Sequence, residues 1–487
     1  MVPALIPWPT SLTLTPGELR AEPAGSRAAA AAALVRAGRR TIDAPGHGAE
    51  EYALRVTSAG VEIDASTETG AFYAEQTLAQ LVERDDDGFF VPLVDIRDEP
   101  RYPYRGVMVD VARNFHDAET VIALAERAAA LKFNALHLHL TDDQGWRIAL
   151  EEHPELTGRG SSTSMGGGSG GFFTRDDMRR IIDAAERVHV TVVPEIDVPG
   201  HTHALGLSHP DLVAEPVIGD EVVSVTEEYG GDLPRAGVPY TGFGVGFSSL
   251  RAHAPGTEPL LREVFGEVAA MTPGPYLHFG GDEALGTAPD DYRAMASLAA
   301  RIVAETGKTP VAWHEAGEAD LPAGSVVQFW GFLDPDPEHV ERVQRAVANG
   351  ARVILSPADA IYLDMKYDAS TPTGLTWANG PTSVERSYVW DPDSVIPGLE
   401  DGAVLGVEAV LWTETISDAA AIETMVFPRL ASASEAAWSA PLGTAQRDWT
   451  SFRDRLGRRG PAWLESGIRF HPSPEVAWAQ ESSYNQP

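Results

Sequence analysis

Eight short apolar segments between residues 105 and 414 constrain the fold more than any other feature of this chain. Segments with helical periodicity, such as AETVIALAERAAALK and TRDDMRRIIDAAERVH, lie between most of them. Apolar strands that alternate with helices are typical of a parallel sheet covered on both faces, and a count of eight predicts closure into an α/β fold, the (β/α)8 TIM barrel. In chain order the apolar segments are GVMVDVA, NALHLHLTD, VTVVPEIDVPG, YLHFGGDE, TPVAWHEA, SVVQFWG, ARVILSPAD and VLGVEAVLWTE.

Charged and aromatic residues stand at the carboxyl ends of most of these segments. The carboxyl ends of barrel strands converge on one face, where the active sites of such barrels lie. The shared position therefore predicts one catalytic face. The residues at these ends are Asp110, Arg113, Asp142, Asp197, His201, Asp282, Glu283, Trp313, Trp330, Trp412 and Glu414.

The whole chain divides into three predicted units. Residues 1–100 alternate strand-like and alanine-rich helical stretches, which predicts a small α+β domain that ends at the linker prolines Pro100 and Pro103. Residues 101–440 form the predicted catalytic barrel, and 441–487 a helical tail packed on it. The segments 161–174 and 215–250 are too long for ordinary connections, so we expect both to be loops on the catalytic face.

Composition narrows the classes of partner. The chain has 37 basic and 71 acidic residues, a net charge of −34, so we expect neither nucleic acid nor a membrane surface as a partner. The absence of cysteine excludes disulfides and thiolate chemistry. The first residues lack a signal-peptide pattern, which predicts a cytoplasmic protein, or a secreted one if a leader has been removed.

The stretch YLHFGGDEAL places two neighbouring carboxylates, Asp282 and Glu283, after a buried strand. Burial and mutual repulsion oppose ionisation of both, so the pair indicates a functional site. Tryptophans near strand ends, with carboxylates and Arg105, supply the flat faces and directional groups that suit a sugar ring. The tryptophans are Trp313, Trp330, Trp377 and Trp412.

Adjacency of Asp282 and Glu283 also constrains the chemistry. A retaining glycosidase with its own nucleophile sets two carboxyl groups about 5–5.5 Å apart on opposite faces of the anomeric carbon. Neighbouring residues, with Cα atoms about 3.8 Å apart, are poorly placed for that arrangement. A division of labour in which one carboxyl protonates the leaving oxygen and the other meets a substrate N–H suits a 2-acetamido sugar, whose own carbonyl oxygen can attack.

Several motifs together resemble glycoside hydrolase family 20, the β-N-acetylhexosaminidases, especially bacterial ones. They are RGVMVDVARNFH, LHLHLTDDQGWRI, PEIDVPGHTHAL, HFGGDEA, SPADAIYLDMKY and GVEAVLWTET, and the likeness extends from IPWPTSLTLTPG to about Trp438. The resemblance implies hydrolysis of terminal, non-reducing β-linked N-acetylglucosamine or N-acetylgalactosamine with retention, through an oxazolinium intermediate. The segment SMGGGSGGFFT departs from the family, which often has a glutamate and paired tyrosines there.

The resemblance also implies the roles of individual residues. Asp282 would orient the acetamido group, Glu283 would be the acid and base, and Asp142 with His201 would form a relay to Glu283. The implied sugar-binding residues are Arg105 and Glu414 for ring hydroxyls, Tyr362 and Asp364 beside the acetamido group, and Trp313, Trp330 and Trp412 as walls. Trp377 and Asp197 are added as sugar-binding candidates from their positions near strand ends.

Two other functions stay open at this point. A sugar-binding relative without turnover would be expected to have lost Asp282 or Glu283, and a β-glycosidase with its own nucleophile could use Glu414 or Asp197. We expect no cofactor and no metal, because His137 and His139 suit structural hydrogen bonds and the motif HTH lacks a third ligand. The expected partner is an oligosaccharide or small-molecule substrate, and the chain is expected to be a monomer or homodimer.

Overall fold

The computed structural model of the chain describes residues 3–444 and 447–479. Residues 1–2, 445–446 and 480–487, which belong to the predicted first and last units, lie outside this part. The first unit is a six-stranded sheet with two helices. Its elements are β1 (Ser11–Arg20), α1 (Arg27–Ala37), β2 (Arg39–Thr41), β3 (Tyr52–Thr57), β4 (Gly60–Ala65), α2 (Glu68–Leu81), β5 (Glu83–Asp85) and β6 (Gly88–Asp98).

Local sequence explains the elements of this domain. Residues on β3 alternate between buried and more exposed positions, which suits a sheet with one face covered. Side-chain caps start both helices: Ser26 accepts a hydrogen bond from the Ala29 N–H, and Thr67 accepts one from the Gly70 N–H. The strand order is β1-β6-β3-β4-β2, with β5 beside β6. The predicted α+β domain is therefore confirmed.

Eight parallel strands then close into a barrel in the order β7-β8-β11-β12-β13-β14-β15-β16, with β16 beside β7. Each predicted apolar segment overlaps one of these strands, so the predicted barrel is confirmed. The strands of this unit are β7 (Tyr104–Asp110), β8 (Ala135–His139), β9 (Thr141–Asp142), β10 (Gly145–Trp146), β11 (Thr191–Glu195), β12 (Tyr276–His278), β13 (Thr309–Trp313), β14 (Val326–Phe329), β15 (Arg352–Leu355) and β16 (Val404–Leu411).

Helices cover the barrel and bury their apolar faces against it. A capping box on Thr174 and Asp177 fixes the start of the helix Arg175–Arg187, which directly precedes β11. The helices of this unit are α3 (Ala118–Ala129), α4 (Pro154–Gly160), α5 (Arg175–Arg187), α6 (His203–Gly206), α7 (Asp220–Tyr229), α8 (Thr257–Met271), α9 (Pro289–Glu305), α10 (Pro337–Ala348), α11 (Ala358–Ile361), α12 (Val384–Tyr388), α13 (Ala419–Val426) and α14 (Arg429–Trp438), with 3₁₀ turns at Met165–Gly167, His314–Glu318 and Pro392–Ser394.

The two long connections lie beside the carboxyl ends of the strands. In the first, the Met165 N–H donates to the carbonyl of Arg113, just after β7. The second, 215–250, was expected to be a loop, but it contains the helix α7. It returns to the barrel where the Leu250 N–H donates to the carbonyl of Pro199, and the two connections meet through the bond from the Gly166 N–H to the Thr241 carbonyl.

The last unit is the helix α15 (Trp449–Glu465). Phe452 stacks on Tyr388 with ring centroids 4.2 Å apart, and Trp463 packs on Phe427. Arg455 forms a fully buried ion pair with Glu435 of α14. The tail thus packs on the barrel through aromatic rings and a buried charge pair. No helix in the described part of the chain is long and apolar enough to cross a membrane.

Candidate active site

Two glycines shape the turn that presents the carboxylate pair. Gly280 and Gly281 have φ values of 70° and 97°, a region that glycine enters without strain. A Cβ at Gly280 would lie 1.7 Å from the Asp197 carboxylate, so a side chain is excluded there. Glu283 itself has φ of 43°, which is uncommon for a residue other than glycine. The tight turn after β12 therefore requires the two glycines that precede the carboxylate pair.

Asp282 and Glu283 both face the same histidine. His201 Nε2 lies 3.8 Å from Asp282 Oδ2 and 3.6 Å from Glu283 Oε2. The side chain of Asp282 is 9% exposed and that of Glu283 is 31% exposed. Burial raises the pKa of Asp282 above its usual range, while His201 opposes the rise. The more exposed Glu283 is the better placed of the two to reach a leaving group.

A fully buried carboxylate lies behind His201. Asp142 Oδ1 is 3.2 Å from His201 Nδ1, and Asp142 Oδ2 is 2.8 Å from both Arg113 Nη2 and His139 Nε2. Burial disfavours the charged carboxylate, but Arg113 and His201 hold the pKa of Asp142 well below its usual range. Burial likewise disfavours a charged His201, but Asp142 and Asp282 raise its pKa well above the ordinary value. The predicted relay residues therefore meet in the order Asp142, His201, Glu283.

Aromatic rings form one side of the site. Trp313 and Trp412 lie with ring centroids 5.9 Å apart, and Tyr362 is 6.3 Å from Trp412. Trp377 is 5.8 Å from Tyr362 and 6.2 Å from Trp330. Trp313 is fully buried, whereas Trp377 is 45% exposed and marks the rim. The structure thus brings together all four tryptophans that the sequence singled out, together with Tyr362.

The prediction that Arg105 binds the sugar hydroxyls is wrong. Arg105 is the second residue of β7, at the amino end of the barrel, and its guanidinium pairs with Glu50 of the first domain at 2.7 Å. It also donates to the Tyr73 hydroxyl at 3.0 Å. Substrate binds at the carboxyl ends of barrel strands. Arg105 lies at the opposite, amino end of its strand and therefore does not contact the sugar.

Arg113, three residues beyond the carboxyl end of β7, lies where an arginine that binds the sugar is expected. Its guanidinium carbon lies 4.6 Å from the centroid of the Trp412 ring, and it is buried. The position of Arg113 after the apolar segment was visible in the sequence. That position, at the carboxyl end of a strand rather than at its start, is the signal that separates the two arginines.

Buried polar atoms without protein partners outline the binding surface. Within residues 3–444 and 447–479, Arg113 Nε and Nη1, Asp282 Oδ1, Glu414 Oε2 and both oxygens of Asp364 have no hydrogen-bond partner. Burial raises the pKa of Glu414 to about 7, although Arg113 opposes the shift. Buried polar groups are normally hydrogen-bonded, so this set indicates a ligand rich in hydroxyl and amide groups.

Asp197 occupies a different place from the one expected of a sugar-binding residue. It is 2% exposed, and its Oδ1 accepts a hydrogen bond from the Gly281 N–H at 3.0 Å. Its own N–H donates to the Thr141 hydroxyl. Burial, reinforced by the neighbouring Asp282, raises its pKa well above the usual range. Asp197 therefore lies beneath the turn and positions Asp282.

Glu315, which the sequence reasoning did not single out, supports the aromatic wall. Trp330 Nε1 donates to both of its carboxylate oxygens at 3.1 Å. Burial, followed by the charge of Asp282, raises the pKa of Glu315 to about 8. Its place two residues after the strand-end residue Trp313 could have indicated it.

Some groups of the site are close enough to share a cation. His201, Asp282 and Glu283 each offer a ligand atom within 4.8 Å of the others, and Asp142, Asp197 and His201 do so as well. The positive charges of Arg113 and His201 lie beside Asp142 and offset its charge. That the chain needs no metal stays a prediction.

Comparisons with known proteins agree with this geometry. The family model for the catalytic domain of glycosyl hydrolase family 20 matches residues 102–293 and 287–441, and the model for domain 2 of that family matches residues 13–99. A β-N-acetylhexosaminidase from Cellulomonas fimi is 42% identical over 436 residues, which cover 88% of this chain and 82% of that protein.

Solved structures are similar over nearly the whole chain. A glycoside hydrolase family 20 β-N-acetylglucosaminidase superposes with a TM-score of 0.91 and 51% identity, covering 98% of this chain and 100% of the other. The Streptomyces plicatus N-acetyl-β-hexosaminidase in complex with Thio-NAglucal has a TM-score of 0.86 and 39% identity, with 98% of each chain covered. The chain belongs to glycoside hydrolase family 20, with the catalytic barrel and the preceding domain 2 of that family.

Proposed function

We propose that this β-N-acetylhexosaminidase removes single β-linked N-acetylhexosamine residues from non-reducing chain ends, with the acetamido oxygen of the substrate as the nucleophile. The observation that carries the proposal is that Asp282 and Glu283 are neighbours in sequence and both face His201 at 3.8 and 3.6 Å. Two carboxylates so placed act on the same side of a sugar, which leaves the opposite face for attack by the substrate itself.

Asp282 is assigned to the acetamido group. Its Oδ1 has no hydrogen-bond partner in the described part of the chain and can accept the amide N–H of the substrate. Trp313, Trp412 and Tyr362 supply the apolar walls for the methyl group and a hydroxyl for the carbonyl oxygen. Holding that carbonyl in line with the anomeric carbon replaces a bimolecular encounter by an intramolecular one, which is worth about 7–11 kcal/mol. The developing oxazolinium is cationic, and the Asp282 carboxylate stabilises it in its ionised form.

Glu283 is assigned to proton transfer. It donates a proton to the leaving oxygen and then accepts one from the water that opens the oxazoline. His201, held by Asp142 at 3.2 Å, lies next to it and adjusts its proton affinity as charge develops. Arg113, Asp364 and Glu414 are assigned to the ring hydroxyls, because their free polar atoms form the remaining part of the site.

Release of single sugars follows from the closed form of the site. The aromatic wall ends at Trp377, and the connections 161–174 and 215–250 meet beside the strand ends through the bond between Gly166 and Thr241. Such a site suits a chain terminus better than the interior of a polymer. Digestion of a chito-oligosaccharide should therefore release N-acetylglucosamine from the first time points, and early release of dimers would contradict the assignment.

A β-glycosidase with its own carboxylate nucleophile is the competing function. The two candidates for that nucleophile are less suitable, because Asp197 is buried beneath the turn and Glu414 lies beside Arg113. The test is a panel of aryl β-glycosides of N-acetylglucosamine, N-acetylgalactosamine and glucose. We expect turnover of the N-acetylated sugars and almost none of the glucoside. Comparable turnover of the glucoside, or a sugar trapped covalently on a protein carboxylate, would refute the proposal.

A further inference from the structure

A column of charged side chains runs through the barrel beneath the active site. The column consists of Glu408, His137, Glu195, His139 and Asp142, and each of these residues is 1% exposed or less. Only Asp142, at its upper end, belongs to the relay described above. The other four have no part in the proposed reaction, although fully buried charges are costly unless they are paired.

Each histidine of the column lies between two carboxylates. His137 Nδ1 is 2.8 Å from Glu408, and His137 Nε2 is 3.0 Å from Glu195. His139 Nδ1 is 2.6 Å from Glu195, and its Nε2 is 2.8 Å from Asp142. His137 hydrogen-bonds to Glu408 through Nδ1, and its Nε2 faces Glu195 at ion-pair distance without a hydrogen bond. Both nitrogens of His139 hydrogen-bond to carboxylates, so this ring is an imidazolium. Burial opposes this charge, but the carboxylates raise the pKa of His137 to about 9 and that of His139 to about 10.

Glu195 also contacts the wall of the sugar site. Its Oε1 accepts a hydrogen bond from Trp313 Nε1 at 2.9 Å, while its Oε2 faces the two histidines. One carboxylate therefore holds both the aromatic wall on one oxygen and the histidine behind Asp142 on the other. The two parts of the site that it touches are the ones assigned to the acetamido group and to proton transfer.

The orientation of Asp142 depends on His139. Asp142 must keep Oδ1 toward His201, yet its two oxygens are chemically equivalent and the carboxylate can rotate about its last bond. The bond from His139 Nε2 and the ion pair with Arg113 both fall on Oδ2 and oppose that rotation. The Asp143 N–H donates to Oδ1 at 2.5 Å. On Oδ2, Arg113 is also needed by the substrate, so His139 is the side chain dedicated to that oxygen.

We propose that Glu195 and His139 are positioning residues, in which Glu195 fixes His139 and Trp313 together and His139 fixes Asp142 for the relay to Glu283. The inference rests on the proposed function, because it needs Glu283 as the proton donor and Trp313 as part of the acetamido pocket. It assigns Glu195 a double effect and His139 a single one. Glu408, at the lower end of the column, contacts neither Asp142 nor Trp313 and is assigned neither effect.

Other polar groups around the column do not replace this link. His278 is neutral, because burial lowers its pKa and its Nδ1 accepts the Gly280 N–H. Gln328 and Tyr104 donate to Glu408 at the lower end. Asp197 has a carboxylate oxygen within 4.8 Å of ligand atoms of His139 and Glu195, but the hydrogen bond that its Oδ1 accepts comes from the Gly281 N–H of the turn.

The test compares Glu195→Gln with Glu408→Gln, which removes an equally buried carboxylate from the same column. The readouts are kcat/KM for two aryl N-acetyl-β-glucosaminides, one with an acidic phenol and one with a weakly acidic phenol, and the inhibition constant of a thiazoline mimic of the intermediate. For Glu195→Gln we expect a loss of about 10- to 100-fold on the weakly acidic phenol, a part of the 10²–10⁴-fold that general acid catalysis supplies, and a smaller loss on the acidic one. The thiazoline should bind about tenfold more weakly.

His139→Gln separates the two effects. It should reproduce the dependence on the leaving group while thiazoline binding stays within about threefold of wild type, and Glu408→Gln should stay within about threefold on all readouts. Near-UV circular dichroism checks that each variant is folded. Equal losses on both phenols, or the same profile for Glu195→Gln and Glu408→Gln, would overturn the inference.

Two further measurements keep the test decisive. If Glu283→Gln shows no dependence on the leaving group, the proposed function has failed, whereas a normal dependence there and none in Glu195→Gln refutes only the positioning role. If the column variants do not fold, the ¹⁵N spectrum of histidines in the wild-type enzyme decides the matter. We expect the buried rings of His137, His139 and His201 to be imidazolium at pH 8, and a neutral His139 would overturn the inference.

Discussion

Separate substitution of the two arginines near β7 gives the sharpest test of the site. We expect Arg113→Gln to abolish most activity even in the folded enzyme, and Arg105→Gln to lower stability with little effect on kcat/KM in the folded enzyme. Both variants lose a buried ion pair and both should melt at a lower temperature, so activity in the folded protein is what separates them. The two residues are eight positions apart on one strand and its extension, and both are buried. They differ in which end of the barrel they occupy.

The expected loss of activity follows from the free donors of Arg113. Its Nε and Nη1 have no hydrogen-bond partner in the described ranges of the chain, although Nη1 lies 3.9 Å from Asp110 Oδ2. Hydrogen bonds to charged groups are worth about 1.5–3 kcal/mol each. Two such bonds to sugar hydroxyls give about 3–6 kcal/mol, which corresponds to about 10²–10⁴-fold in kcat/KM. Loss of the 2.8 Å ion pair with Asp142 adds to this through the relay.

Arg105 has no such free donors. It makes a bidentate pair with Glu50 at 3.0 and 2.7 Å and donates to Tyr73 and to two backbone carbonyls. Removal of one partner of a buried ion pair costs about 3–5 kcal/mol, a large fraction of the stability of most proteins. The cost is reduced here because Glu50 is 20% exposed and water can reach it. The variant should therefore melt at a lower temperature, with the junction between the two domains weakened.

The assay is kcat/KM on a 4-nitrophenyl N-acetyl-β-glucosaminide, with calorimetric melting of each variant. Arg113→Lys is the matched control, because lysine keeps the charge beside Asp142 but loses the planar fork that can bind two hydroxyls. It should recover part of the activity. A loss of activity in folded Arg105→Gln as large as in Arg113→Gln would refute the assignment of the two ends of the barrel.

The remaining predictions concern the carboxylates. Glu283→Gln should reduce hydrolysis about 10²–10⁴-fold for substrates with poor leaving groups and far less for an acidic phenol, and equal losses on both would argue against a proton donor. Asp282→Asn should slow hydrolysis of the N-acetylated sugar by orders of magnitude at unchanged melting temperature, and should weaken binding of the thiazoline; a variant that binds it as tightly as wild type would contradict the role. Because burial raises the pKa of Glu315 to about 8, the native state holds a proton that the unfolded chain releases above its ordinary pKa near 4.5, so stability should fall as pH rises between these values. Glu315→Gln should flatten this dependence: its melting temperature, relative to that of wild type, should be higher at pH 8.5 than at pH 5.5. The same difference in melting temperature at both pH values would show that Glu315 is ionised in the native state. Treatment with EDTA should leave activity unchanged, and loss of activity that Zn²⁺ or Mg²⁺ restores would show that His201, Asp282 and Glu283 share a metal.

Several features of the chain could be predicted from the sequence because they depend on short-range pattern. Each of the eight apolar segments became one barrel strand, since a strand buried on both faces needs a continuous apolar run. The carboxylate pair Asp282 and Glu283 could be recognised for a similar reason, because two neighbouring charges directly after an apolar run form a local pattern. The shared face of Asp142, His201 and Glu283 could be predicted from their positions at strand ends, which the barrel gathers on one face, whereas their relay was implied by the family resemblance.

Other features depended on contacts between residues distant in sequence. Arg105 and Arg113 have the same chemistry, and only the exact start of β7 and the presence of Glu50, 55 residues earlier, send the first away from the substrate. Asp197 was placed under the turn by its bond to Gly281, 84 residues later.

The buried column was decided by tertiary structure as well. Glu195 meets His139 across 56 residues and Trp313 across 118, and no local pattern joins them. A histidine or glutamate in an apolar strand is compatible with many environments, because its charge state is set by the partners that folding brings to it. The sequence by itself therefore determined which face of the barrel carries the chemistry, whereas the tertiary structure decided which charged groups reach the substrate and which hold the others in place.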